Sequence, residues 1–279
     1  MSGICYIVGA SPFGSLSFSP DEDDLVIAAD AGFKYLIDKK IKPDVIVGDF
    51  DTLNLPDDLK GIKLKKLKDT SDLYEALDIA FKKGFKKCYV YKALGGRISH
   101  TLANISHMMY FFKKGVDVHL FNDDIEIFGI DSNYCFEDYS FNYISIFPFT
   151  ESANISIENL KYELKDHELK KDIALGLSNE FIGLRAKIYV NSGSLIIVKE
   201  KRDEAILKII DERKFLLINK YFKDKNVDKD LDLWIYQKKD SIKALILSKK
   251  SEIIYTIGDG NYKEDLIEYI KYHYENKKF

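Results

Sequence analysis

The residues with the clearest chemical promise are Asp49 and Asp51, in the run Val45-Ile-Val-Gly-Asp-Phe-Asp-Thr52, which leaves an apolar stretch. Side chains alternate along an extended chain, so carboxylates at i and i+2 project to the same side. Such a pair suits a hard divalent cation; Mg2+ takes oxygen ligands and is commonly shared with substrate phosphates. One Asp closing a strand would need no such role, because Asp bonds its own backbone in turns. Three further loops alter that balance. Ala28-Ala-Asp-Ala-Gly32 puts Asp30 at a strand end, as support for a metal site or as cap of the next helix. Lys68-Asp-Thr-Ser-Asp72 leads into a helix. Asp72 and Glu75 have capping-box spacing there, yet Lys68, the Thr70 and Ser71 hydroxyls and the free N–H groups of a helix N-terminus also suit an anion. Ala93-Leu-Gly-Gly-Arg-Ile-Ser-His100 opens another helix. Gly95 and Gly96 allow backbone N–H groups close to a phosphate, and Arg97 offers its oxygens bidentate recognition. The four loops together predict Mg2+ and a polyphosphate.

These loops need a scaffold that gathers them. Apolar runs at residues 4–8, 25–29, 44–47, 88–91 and 116–121 alternate with helical spacing at 32–39, 72–83 and 99–114. Continuous apolar strands with short connections predict a parallel sheet covered on both faces. Ligands of such sheets sit outside the carboxyl ends of the strands, where all four loops fall. From about Ile125 the texture changes to short segments separated by turns, predicting an antiparallel sandwich or barrel, with Asn191-Ser-Gly193 as a hairpin turn. A third texture begins near residue 201: helical spacing at 203–213, apolar runs at 231–236, 242–247 and 253–257, and a charged helix at 262–277 covering a small sheet. The expected division is therefore an α/β domain at 1–124, an antiparallel sandwich or barrel at 125–200 and a small α+β extension at 201–279.

Composition narrows the class. The chain has 279 residues, 46% hydrophobic and 13% aromatic, enough for one large core or two ordinary ones. A net charge of -3 and a pI near 6.0 argue against binding nucleic-acid backbone. Cys5, Cys88 and Cys135 stand singly, without metal-ligand spacing, which fits a reducing cytoplasm. The N-terminus lacks the pattern of a signal peptide, and no apolar run approaches a membrane span. GxxxxGK[ST], GxGxxG and GxSxG are all absent, so P-loop, hydride-transfer and serine-elbow chemistry are poorly supported.

The combination resembles thiamine pyrophosphokinase. The likeness rests on Ala28-Ala-Asp30, residues 41–51, Lys68-Asp-Thr-Ser-Asp72 with Ala76-Leu77, Gly95-Gly-Arg-Ile-Ser-His100-Thr-Leu-Ala-Asn104 and Gly176-Leu-Ser-Asn-Glu-Phe-Ile-Gly183. It spans roughly residues 1–200. The resemblance implies an N-terminal α/β domain, a C-terminal β-sandwich, and a homodimer whose active site lies at the subunit interface. It also implies pyrophosphoryl transfer from ATP to the hydroxyl of thiamine. Asp49, Asp51 and Asp72 would hold Mg2+ and the triphosphate, with Asp30 in support. Arg97, Gly95 and Gly96 would meet phosphates, and Lys68, Thr70, Ser71, Ser99, His100 and Asn104 would complete the nucleotide side. Ser178, Asn179 and Phe181 would lie near thiamine, Phe181 stacking on its ring.

The chain departs from the family pattern at Ser99, where the family carries Asp; serine there could still cap the helix. Ala31, Thr52 and Ser71 are milder changes. Residues from about 201 onward match nothing in the resemblance. A pyrophosphokinase for a hydroxymethyl pterin and a non-catalytic nucleotide- or thiamine-binding relative are the competing readings.

Overall fold

Unbroken apolar runs become buried parallel strands. A computed structural model describes residues 3–48, 61–63, 70–136, 141–181, 185–201, 204–209, 213–222, 225, 227–228, 230–238 and 241–275. The strands of the first half are β1 (Cys5–Val8), β2 (Leu25–Ala29), β3 (Val45–Gly48), β4 (Gly61–Lys63), β5 (Lys87–Tyr91), β6 (Asp117–Phe121) and β7 (Ile125–Ile130). Three helices connect them: α1 (Gly32–Asp38), α2 (Asp72–Lys82) and α3 (Ile98–Lys113). The hydrogen-bonded order is β4-β3-β2-β1-β5-β6, all parallel, with β7 antiparallel on β6. Every residue of β1 and β2 is buried, as covered faces on both sides require.

Helix α2 shows why these helices stay on the sheet. Leu73, Ala76, Leu77 and Ala80 are its buried residues, spaced i, i+3, i+4, i+7 along one stripe. At α1 the approach is closer still. A Cβ at Gly32 would lie 1.9 Å from the Val8 carbonyl oxygen, so only glycine lets the helix start there.

The chain divides into two compact units. The first comprises Met1–Ile130 with Ile196–Val198, the second Asp131–Leu195 with Lys199–Phe279. The second contains β8 (Tyr134–Cys135), β9 (Tyr143–Pro148), β10 (Ser152–Glu158), β11 (Leu164–Lys170), β12 (Gly176–Glu180), β13 (Lys187–Ser192) and the two ends of β14 (Leu195–Glu200). Antiparallel order β11-β10-β13-β8 makes one sheet, and β12 pairs antiparallel with β9. Strand β14 neighbours β9, so β13 and β14 belong to different sheets. Residues Asn191–Gly193 carry the chain from one sheet to the other and do not close the hairpin expected from their turn chemistry.

The remaining elements are β15 (Glu204–Ile209), α4 (Arg213–Tyr221), β16 (Asp232–Lys238), β17 (Ser241–Lys249), β18 (Glu252–Gly258) and α5 (Gly260–Glu275). Order β15-β16-β17-β18 is antiparallel throughout. The expected helix at 203–213 is thus corrected. Residues 204–209 are a strand in continuous register with β16, and α4 is Arg213–Tyr221; pairing with a buried neighbour overrides a short, ambiguous apolar pattern. Alternation along β16 serves two small cores. Trp234 and Tyr236 pack with Leu266 and Ile270 of α5, while Leu233 and Ile235 pack with Phe222 and Leu247.

A partly buried polar cluster sits in the first unit. His119 Nδ1 lies 2.8 Å from a Glu126 carboxylate oxygen, and Nε2 lies 3.0 Å from Asp117 Oδ1. The imidazole stacks between Phe121 and Phe128. Burial alone would pull His119 down, but hydrogen bonds to the two carboxylates hold it above its ordinary 6.5. Burial opposes ionisation of Asp117 as well, and its bond to His119 holds it below 3.8. The raised imidazole contributes stability at pH values below its unfolded value and loses that contribution as pH rises through its folded value. The depressed carboxylate contributes above its unfolded value and loses its share as pH falls. The stability deficit of His119→Gln, read from urea unfolding, should therefore be larger at about pH 5.5 than at about pH 9. An equal deficit at both would leave the ring with a packing role alone.

Candidate functional site at the sheet's switch point

Strand order turns back at β1: β2 lies on one side and β5 on the other. Connections leaving in opposite directions open a crevice at the carboxyl ends, the usual ligand position in open α/β sheets. A cavity of about 440 Å³ lies there. Its wall is built from Gly9 to Pro12 after β1, Ala29 and Asp30 at the end of β2, and Ser71 to Leu73 at the start of α2. Lys92, Ala93 and Gly95 to Arg97 after β5, with His100 and Asn104 on α3, complete it.

Each element places its side chain for a local reason. Asp30 has φ +53° and donates its N–H to Val47 O at 2.7 Å, which ties the ends of β2 and β3 together. It does not cap α1, whose N-cap position is Ala31 with no side-chain bond. At α2 the cap is Ser71, whose hydroxyl accepts from Tyr74 N at 3.3 Å. Asp72 is the first helical residue, so the expected Asp72 capping box is displaced by one position. Glu75 instead accepts a hydrogen bond from the Thr70 hydroxyl. The cap is supplied by Ser71, and Asp72 is among the residues lining the cavity.

The third loop turns on its glycines. Gly95 and Gly96 have φ +80° and +70°. Arg97, exposed, takes the N-cap position of α3 without a side-chain cap, and Ser99 lies inside the helix, so Ser99 is not the cap expected of it. Asn104 Nδ2 donates to Ala93 O at 2.7 Å, pinning the loop to α3. Asn104 therefore acts on the loop, while His100 is an exposed group on the cavity wall.

Two contributors were not evident from spacing. The loop Gly9-Ala-Ser-Pro-Phe-Gly14 fails GxGxxG, yet its first half forms one wall. It is fastened to the β5 loop by Gly9 N to Tyr91 O and Ser11 N to Lys92 O, both 2.9 Å, and by Ser11 Oγ to Leu94 O at 2.7 Å. Lys92 is the other; its only sequence signal is its place between a strand and a glycine pair.

Asp30, Ser71, Asp72, Gly95, Gly96, Arg97, His100 and Asn104 are thus brought together, and Thr70 adjoins them through Glu75. Ser99 is not on the cavity wall. Asp49, Asp51 and Lys68 lie outside the described residues. Among the described residues no group of three or more His, Cys, Asp or Glu side chains is arranged to hold a metal ion. The oxygen donors present at the cavity, Asp30 and Asp72, are of the hard type that Mg2+ takes.

In the second unit, β12 carries a register shift between Gly176 and Asn179, and Ser178 has φ +52°. Bulges re-aim side chains in this way. The Ser178 N–H donates to Ser145 Oγ at 3.0 Å. Asn179 is 5% exposed; its Oδ1 accepts from Tyr162 N at 2.9 Å and its Nδ2 donates to Tyr162 O at 2.7 Å. Phe181 is 1% exposed and packs edge-on against Phe136. The ring expected to stack on a substrate is therefore held in the core, and Asn179 has a loop-bracing role.

The glycine pair supplies a stability test. At Gly96 a Cβ would meet nothing within 4 Å, whereas at Gly95 it would lie 2.8 Å from the Phe13 ring. Gly96→Ala should cost about 1 to 2 kcal/mol for its left-handed backbone alone. Gly95→Ala should cost more, because Phe13 must also move. Equal costs in urea unfolding would mean that Phe13 yields freely.

Comparison with known proteins agrees with this architecture. The family model described as thiamin pyrophosphokinase, catalytic domain, matches residues 20–120, and that described as its vitamin B1 binding domain matches 134–196. A thiamine pyrophosphokinase of Bacillus subtilis is 29% identical over 189 residues, which is 64% of this chain and 88% of that protein. A crystal structure of the enzyme of that name from Bacillus subtilis superposes with TM-score 0.64 at 27% identity, covering 71% of this chain and 99% of its own. One from Candida albicans, at 16% identity and TM-score 0.56, shares the fold over 72% of this chain and 89% of its own. The family matches end at residue 196, so β15 to α5 lie beyond them. With more than half of its length matched by the two models, this chain belongs to the thiamin pyrophosphokinase family.

Proposed function

We propose that the chain transfers the pyrophosphoryl group of ATP to the hydroxyl of thiamine, giving thiamine diphosphate and AMP. The observation that carries the reading is the switch-point cavity, lined mostly from the matched catalytic region, where Asp30, Asp72, Arg97 and the Gly95-Gly96 turn share one wall. We assign residues 1–124 to ATP, 125–200 to thiamine and 201–279 to a structural extension.

In this reading the thiamine oxygen attacks the β-phosphorus. The bond from that phosphorus to the oxygen bridging to the α-phosphate breaks, and AMP leaves with the bonding electrons. The hydroxyl proton passes to a carboxylate of the site. Charge grows on nonbridging oxygens and on the departing phosphate, which Arg97 and backbone N–H groups at Gly95, Gly96 and the start of α2 can offset. Asp49, Asp51 and Asp72, with Asp30 in support, would hold Mg2+, which supplies charge neutralisation and alignment of the phosphates. Lys68, Thr70, Ser71 and His100 border the nucleotide. Ser178 faces thiamine, with Asn179 and Phe181 bracing that segment. A homodimer with the active site at the subunit interface, working in the cytoplasm, completes the proposal. Among the described residues, no helix is long and apolar enough to cross a membrane.

The test is AMP release by the purified protein from Mg-ATP, with and without thiamine, with the second product identified by mass. Thiamine-dependent AMP with thiamine diphosphate supports the reading; AMP release only with a pterin alcohol, or none, would overturn it. Asp72→Asn should lower kcat by roughly a hundredfold or more while leaving the urea midpoint nearly unchanged, since Ser71 holds the cap. Asp51→Asn should likewise cut turnover by orders of magnitude. Near-normal AMP release by either variant removes that carboxylate from the metal set.

A further inference from the structure

Lys92 plays no part in the reaction outlined above, yet its circumstances are costly. It follows β5 directly with φ +58°, a backbone state that strains an L side chain and suits glycine. Strain of this kind persists where the residue is otherwise required. The side chain is 8% exposed and lines the cavity.

Its ammonium is poorly matched by the described residues. Among the described residues Nζ has no carboxylate within ion-pair distance. Its contacts are the Pro12 carbonyl oxygen at 3.5 Å, the outer limit of a hydrogen bond, and the face of Tyr35, 4.1 Å from the ring centroid. An ammonium has three donors to satisfy, and a buried cation without an anion is expensive. An anionic ligand arriving in the cavity would supply what the described residues do not. Backbone bonds from Gly9 to Tyr91 O and from Ser11 to Lys92 O fix the main chain of the lysine, and the Tyr35 ring lies under its Nζ. Phosphate is the chemistry that the Gly95-Gly96 turn and Arg97 on the same wall also suit.

We propose that the Lys92 ammonium binds the phosphate chain of the nucleotide, a substrate contact additional to Arg97. This rests on reading the cavity as the ATP site. On binding, Nζ exchanges its long bond to Pro12 for charge-assisted bonds to phosphate oxygens.

The test is calorimetric titration of wild type, Lys92→Gly, Lys92→Met and Lys92→Arg with Mg-ATP, and with adenosine as the phosphate-free probe. Glycine removes the side chain and relieves the backbone, so the melting temperature of Lys92→Gly should not fall. Its affinity for Mg-ATP should drop roughly tenfold or more, with adenosine binding changed less than about twofold. Lys92→Met keeps the apolar stem without the charge and should show the same split, which decides the case if Lys92→Gly loosens the loop. Lys92→Arg should retain most of the affinity. Unchanged Mg-ATP affinity, or equal losses for Mg-ATP and adenosine, would overturn the proposal and leave Lys92 as a pin for the Gly9–Pro12 loop. If wild type binds Mg-ATP but releases no AMP with thiamine, the thiamine reading fails and the titration still decides Lys92. Wild type that binds no nucleotide overturns both.

Discussion

The site depends on backbone hydrogen bonds that continue past the ends of β1 and β5. Parallel pairing of these strands runs in register from Cys5 with Cys88 to Val8 with Tyr91, and then Gly9 and Ser11 carry it into the loops. Without that continuation the two loops would be independent surface segments, each paying its own ordering entropy. With it, one wall of the cavity is an extension of the sheet. The neighbouring bond from Asp30 N to Val47 O does the same for β2 and β3. Rigidity at the crevice is thus borrowed from the most buried strands of the molecule, where Cys5, Ile7 and Val8 have no exposure. The thiols of Cys5 and Cys88 belong to that interior; their mutual hydrogen bond and then burial push the Cys5 thiol well up, away from reactivity.

Much of this was legible from sequence because local and global signals agree. Residues 25–29, 72–83 and 99–114 read as strand, helix and helix, and appear as β2, α2 and α3 with ends shifted by at most a residue. The strand-end loops were legible for the same reason: Asp, Gly and Arg at those positions have few structural uses that would justify all of them together. What escaped were features set by tertiary context. Nothing in the letters around Lys92 announces a left-handed backbone, since φ there follows from how β5 meets the β1 loop. Ser71 and Asp72 are both good caps by composition, and only the geometry of the turn selects Ser71. The 203–209 segment is ambiguous at its short length until its partner β16 is known. Asn191–Gly193 has hairpin chemistry, but the sheet that each flanking strand joins is decided by distant pairings.

The segment after the family matches is built economically. One strand, β16, contributes alternate side chains to two cores, so a four-stranded sheet is covered on each face by a single helix or its flanking residues. Its central strands β16 and β17 hold Trp234, Leu233, Ile246 and Leu247 at no exposure.

The capping of α2 has a consequence for how this protein can diverge. Helix integrity is vested in a hydroxyl, while the adjacent carboxylate has its place on the cavity wall. Inheritance of the fold is thereby uncoupled from inheritance of the chemistry. A lineage could exchange Asp72 for an amide and still produce an abundant, protease-resistant protein, whereas loss of Ser71 would be noticed first by the cell's quality control. Descendants of this chain that keep the serine and vary the aspartate would be the ones to search for new reactions on an old scaffold.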